Sequence, residues 1–151
     1  MTNTYLNLHK PEAIRLLREL IKAKKFFRQT EADKKVLLAE TLIHLNRIYG
    51  IETGLSFQRQ FFDFSGYGSY SINDRVIHLP RVSLVTFLHE FSHALFNQKN
   101  RKNTEPQARS WSLELFKKAS PKSYDRAVEK GILLYTLESE TDNANVSSEN
   151  K

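Results

Sequence analysis

Thr86-Phe87-Leu88-His89-Glu90-Phe91-Ser92-His93-Ala94-Leu95-Phe96 carries two patterns in one stretch. Leu84, Leu88, Phe91 and Leu95 recur at i, i+4, i+7 and i+11, the spacing of an apolar stripe on a packed helix, and this predicts a helix from about Val82 to Gln98. His89 and His93 fall on the adjoining stripe, at the edge of the core. Residues four apart on a helix stand one above the other with β-carbons roughly 6 Å apart, so both imidazoles can reach one zinc ion at about 2.0–2.1 Å. Glu90 lies about 100° around the helix from His89 and about 60° from His93. It flanks the ligand face without being forced to coordinate, which suits a base acting on a zinc-activated water. The plainer alternative is two flank histidines that bind nothing. The glutamate between them and the packed stripe beneath favour the metal.

A catalytic zinc normally has three protein ligands and one open position. No histidine follows His93, and the others are His9, His44 and His78, so a downstream histidine ligand is excluded. The carboxylates Glu105, Glu114, Asp125 and Glu129 compete for the place. Ala108, Ser112, Leu115 and Ala119 mark the inward face of the next helix, with Trp111 beside them. Glu105, three residues before Ala108, shares that direction. Glu114, nine residues further on, is about 180° away at 3.6 residues per turn and is expected to face solvent. Glu105 is the expected third ligand, although an acid beside Thr104 at a helix start also suits the helix dipole. The chemistry expected is zinc-dependent hydrolysis of peptide bonds, in which His89, His93 and Glu105 hold Zn2+. Glu90 accepts a proton from a zinc-activated water and later passes it to the leaving nitrogen. An oxyanion partner is also needed; Tyr67, Tyr70, His78, Arg109 and Tyr124 all stay open for that role.

The flanks supply the scaffold. Pro11 suits a first helical position, with Ile14, Leu17, Leu20 and Ile21 at helical spacing. Thr30 can cap a second helix whose apolar positions Val36, Ala39, Leu42, Ile43 and Leu45 cover a broad face, and Gly50 can stop it. The period then changes. Leu55, Phe57 and Phe61 alternate with polar neighbours, and Gly66 and Gly68 break the pattern. Ser69-Tyr70-Ser71-Ile72 and Arg75-Val76-Ile77-His78-Leu79 read as strands around an Asn73-Asp74 turn. This segment offers an edge strand to an extended substrate. After the active-site helix come a polar loop over residues 97–103 and a helix from about Thr104 to Ala119. A last helix, opened by Ser120-Pro121, is expected to carry Tyr124, Val128, Ile132 and Tyr135. The expected class is α+β: one mostly helical domain over residues 1–138, with a small antiparallel sheet before the active-site helix. Residues 139–151 are polar and small, and are expected to form a disordered tail.

Composition narrows the function classes. The chain has 151 residues, no cysteine, and 23 Lys and Arg against 17 Asp and Glu, for a net charge of +6. Residues 138–151 hold four acids and one base, so the body before them carries 22 bases against 13 acids, or +9. The lack of cysteine excludes disulfide scaffolds, thiolate metal sites and a cysteine nucleophile. No apolar run approaches membrane-spanning length and residues 1–10 lack a secretory apolar stretch, so the expectation is a cytoplasmic protein with no membrane partner. The basic body allows a rival: a non-enzymatic binding module for nucleic acid or an acidic protein, with structural zinc or none. Lys22, Lys24, Lys25 and Arg28 form a basic group for it, but no nucleic-acid-binding motif is evident.

The active-site stretch, followed by Glu105-Pro106-Gln107-Ala108-Arg109-Ser110-Trp111-Ser112-Leu113-Glu114-Leu115-Phe116, resembles the ImmA/IrrE family of zinc metallopeptidases. Members combine HExxH on one helix with a glutamate ligand opening a second helix of the form E-x-x-A-x-x-F-A-x-x-L-L. Glu105, Ala108, Trp111, Ser112, Leu115 and Phe116 fill those positions here, with Trp and Ser in place of the usual Phe and Ala. Lys117-Lys118 stand where the family often has Met-Pro. The resemblance spans roughly residues 68–119. It implies a zincin-like, gluzincin-type fold and a protein or peptide substrate, often a regulatory protein such as a repressor.

Overall fold

A computed structural model describes residues 9–58, 67–133 and 136–137 of the chain. Phe61, Gly66, Tyr135 and the tail from residue 139 lie outside the described residues. Helix α1 (Pro11–Lys22) begins on its proline and buries Ala13, Leu17, Leu20 and Ile21. Lys25, in the left-handed region (φ 49°), turns the chain into a 3-10 turn at Phe26–Arg28 that drives Phe26 into the core. Helix α2 (Glu31–Tyr49) is capped by the Thr30 hydroxyl, which accepts from the Asp33 N–H, and ends at Gly50 with φ 66°. Its buried stripe is Leu38, Thr41, Leu42, Leu45 and Tyr49. Val36 and Ile43 are 56% and 59% exposed, and Ala39 is exposed as well. The broad apolar face expected of α2 is therefore corrected to a narrower one. The side chains at 38, 42, 45 and 49 lie within about 60° of one another, while 36 and 43 project to the far side.

Three short strands follow: β1 (Gly54–Ser56), β2 (Ser69–Ser71) and β3 (Val76–His78). They form one sheet in the order β1-β3-β2. β2 and β3 are the expected antiparallel hairpin, with Tyr70 opposite Ile77. β1 instead runs parallel to β3, with Leu55 opposite Ile77, so the sheet is mixed and not wholly antiparallel. Alternation at Leu55 and Phe57 marks a strand but carries no direction. β1 joins the free edge of β3 rather than pairing with β2, its neighbour in the chain. Gly68 brings the start of β2 against the next helix: a β-carbon there would lie 2.8 Å from Thr86 Cγ2 and 3.2 Å from the His78 carbonyl oxygen.

Helix α3 (Leu84–Gln98) is capped by the Ser83 hydroxyl, which accepts from the Thr86 N–H. Leu84, Phe87, Leu88, Phe91, Ala94, Leu95 and Phe96 are all buried, so this helix is the centre of the molecule. It packs against helix α4 (Glu105–Ala119) and against β2, β3 and α2. Trp111 of α4 is fully buried and its ring meets those of His9, Tyr49, Phe91 and Phe96. Helix α5 (Pro121–Glu129) starts at Ser120, whose hydroxyl accepts from the Ser123 N–H, and buries Tyr124 and Ala127. It is shorter than expected: Gly131, at φ 64°, follows its end, and Ile132 lies beyond it, 70% exposed. The described residues thus form an α+β fold of five α-helices and one small sheet, and no helix among them is long and apolar enough to cross a membrane.

His9 locks the start of the described chain onto α4. Its Nε2–H donates to the Trp111 carbonyl at 2.8 Å, and the Lys118 ammonium donates to its Nδ1 at 3.0 Å. The Lys118 ammonium needs the Nδ1 lone pair, which only the neutral ring offers, whereas the bond to Trp111 survives protonation. Burial lowers its pKa, the Trp111 hydrogen bond opposes and the Lys118 charge adds to the fall, leaving it at about 4 against an ordinary 6.5. The unfolded chain therefore takes up this proton first as pH drops. The contribution of His9 is complete above pH 6.5 and is lost as pH falls towards 4, on the order of 3 kcal/mol in all. Denaturant melts across that window should show the native chain losing more stability than a His9→Gln variant; parallel losses would remove His9 from the account.

Candidate metal centre

α3 is held by core packing beneath it, and its upper flank presents His89 and His93 one turn apart with Glu90 between them in sequence. After α3 the chain reverses through Asn100 at φ 55°, and the Arg101 N–H returns to the Phe96 carbonyl. Thr104 then caps α4 by accepting from the Gln107 N–H. This places Glu105, the first residue of α4, directly over the histidine pair. Ser92, fully buried between the helices, donates to the His89 carbonyl and lies 3.4 Å from that of Ala108.

The three expected ligands converge. His89 Nε2 lies 3.0 Å from Glu105 Oε2, His93 Nε2 lies 2.9 Å from Glu105 Oε1, and the two Nε2 atoms are 3.3 Å apart. Glu90 belongs to the same group: His89, Glu90 and His93 each offer a donor atom, all within 4.8 Å of one another. Glu105 is nevertheless the carboxylate in direct contact with both imidazoles. The side chains of His89 and His93 are 21% and 13% exposed and that of Glu105 is 58% exposed, while Glu90 is buried.

Asn103, which the sequence places only in a polar loop, completes the arrangement. Its Nδ2 donates to the His93 carbonyl at 3.3 Å, which fixes the orientation of the amide, and its Oδ1 faces His93 Nδ1. That oxygen can only accept, so Nδ1 carries a hydrogen and, in the neutral ring, Nε2 offers its lone pair towards Glu105 and His89. Lone pairs and a carboxylate gathered this closely need positive charge among them, either protons or a metal ion. Burial and then the neighbouring His93 lower the His89 pKa, against the pull of Glu105. Burial pushes the Glu105 carboxyl up, but His93, His89 and Arg109 outweigh it and hold the group below its ordinary range. The donor set is one that could hold a metal ion.

The centre opens into a cleft of about 1060 Å3. Of the residues open for oxyanion stabilisation, Tyr67, Tyr70 and Arg109 line this cleft, whereas His78 and Tyr124 do not. The Tyr124 hydroxyl is instead buried and accepts from the Leu137 N–H at 2.9 Å. Glu114, Asp125 and Glu129, the competitors of Glu105, are also absent from the lining. The edge strand β2 contributes Ser69 and Tyr70 to the wall. No family model, curated protein or solved structure matches the chain. The site rests on its own geometry.

Partners that orient a ligating histidine typically contribute about 10–100-fold to metal affinity. Asn103→Ala should weaken divalent-metal binding by that order in competition with a chromophoric chelator, and Asn103→Asp, which keeps the acceptor, should weaken it less. Equal affinities would show that Asn103 does not orient His93.

Proposed function

We propose that the chain is a zinc-dependent metallopeptidase of zincin-like build, hydrolysing peptide bonds in a protein or peptide substrate. The observation that carries this reading is the meeting of both imidazole Nε2 atoms with the two oxygens of Glu105. Four ligands at about 2.0–2.1 Å in a tetrahedron are separated by edges of about 3.3 Å. The two Nε2 atoms, 3.3 Å apart, match that edge, and each lies 2.9–3.0 Å from a different oxygen of Glu105, so a small turn of the carboxylate would bring one oxygen into the third position. Asn103 holds His93 in the tautomer a metal requires.

In this reading His89, His93 and Glu105 would hold the zinc, leaving one position open to the cleft. When bound, zinc supplies Lewis-acid polarisation of the scissile carbonyl and lowers the pKa of water. Glu90, one residue along α3 and buried, accepts the proton of the attacking water and delivers it to the leaving nitrogen. Tyr67, Tyr70 and Arg109, at the cleft wall, are the groups available to steady the oxyanion. A regulatory protein such as a repressor is the substrate suggested by the resemblance to ImmA/IrrE peptidases.

Metal analysis and hydrolysis assays on three proteins test the assignment. The native chain and Glu90→Gln should each carry one zinc, with hydrolysis at least about 100-fold slower in the variant. Glu105→Ala should lose both metal and activity. A Glu90→Gln protein that cleaves at the native rate would overturn the role of the base, and equal zinc in all three would move the third ligand elsewhere. Salt-sensitive nucleic-acid binding untouched by chelator, without hydrolysis, would favour a basic binding module instead.

A further inference from the structure

The cleft has a composition that the chemistry of the metal centre does not require. Apart from Glu90 and Glu105, every charged residue in its described lining other than the two histidines is a cation: Lys34, Arg81, Arg109, Arg126 and Lys130. Its walls also carry apolar side chains, with Leu113, Phe116, Ala127 and Leu133 among them. The lips are apolar too. Of the seven large hydrophobic side chains exposed among the described residues, four lie here: Phe27, Tyr67, Ile72 and Ile132. Scattered exposed hydrophobics need no explanation, but a cluster around one concave site marks a binding surface.

We propose that the cleft selects an acidic polypeptide segment bearing a bulky apolar residue. Helix α4 orders the contacts, because Glu105, Arg109, Leu113 and Phe116 all face the cleft. At a rise of 1.5 Å per residue they stand about 6, 12 and 16 Å beyond Glu105. An extended peptide advances about 3.3 Å per residue. On one side of the scissile bond, an acidic side chain about two positions away therefore meets Arg109, and an apolar one about four or five positions away meets Leu113 and Phe116. Arg126 and Lys130, both exposed on and just after α5, favour further acids on that side. The position count rests on the peptidase reading; the acidic and apolar preference does not. A peptide suits this lining better than nucleic acid does, since much of its apolar surface is aliphatic and two carboxylates sit at the metal centre.

The zinc-supplemented Glu90→Gln chain, titrated by fluorescence anisotropy with short labelled peptides, tests this without relying on turnover. A peptide with glutamates around one phenylalanine should bind about tenfold more tightly than its twin with lysines in place of glutamates. The difference should shrink at high salt and in an Arg126→Glu, Lys130→Glu variant. Exchanging the phenylalanine for serine should weaken binding of the acidic peptide. Equal binding of the twins, or capture of an oligonucleotide but of neither peptide, would overturn the proposal. Hydrolysis by the native chain separates the two readings. Cleavage indifferent to peptide charge, with equal binding, sinks this proposal and leaves the peptidase; selective binding with no cleavage supports this proposal and sinks the peptidase.

Discussion

The contact of Glu105 with His89 and His93 exists only because α3 and α4 lie locked side by side in one register. Its own energy cannot impose that register. An ion pair whose carboxylate is more than half exposed is worth about 0–1 kcal/mol, whereas a buried tryptophan such as Trp111 is worth roughly 3–5 kcal/mol against truncation. Trp111 reaches Phe91 and Phe96 on α3, Tyr49 on α2 and His9 at the start of the described chain. The aromatic cluster sets where α4 lies, and the loop through Asn103 and Thr104 sets where it begins. Together they deliver the carboxylate to the imidazoles.

Two glutamates in one site are driven apart by their surroundings. Glu90 is buried at the floor of the cleft beside the histidines, and Glu105 stands at the first turn of α4, largely open to solvent. A helix start stabilises negative charge, as do the neighbouring imidazoles and Arg109, so Glu105 suits permanent ionisation and the proposed ligand role. Sites that assign different work to chemically equal groups do so through environment, and this difference comes from which helix face each residue occupies.

Much of this arrangement is legible in the order of the residues. The stripe Leu84, Leu88, Phe91 and Leu95 locates α3, and helical phase alone separates Glu105 from Glu114. Thr30 and Ser120 mark helix starts and Gly50 a stop, because caps are local chemistry. Other features depend on partners that local patterns do not name. α2 has apolar residues on nearly every side, so its sequence does not say that Leu38 and Tyr49 turn inward while Val36 and Ile43 turn out. The direction of β1 depends on how the chain returns to the edge of β3, which alternation does not encode. Asn103 looks like any amide in a polar loop, and only the fold brings it to His93, ten residues back. The likeness of residues 68–119 to ImmA/IrrE peptidases is a similarity of pattern.

Gly68 bears on how far such a chain can drift in sequence. A β-carbon there would crowd a methyl of Thr86 and the His78 carbonyl oxygen, and β-branched threonine has little rotamer freedom with which to retreat within a helix. Almost any side chain would have to prise the hairpin away from the helix bearing the histidines, widening the groove at that wall. The breadth of the opening is thus governed by a missing methyl group, and a lineage could reshape what enters it by changing this one residue while leaving every metal-facing side chain alone.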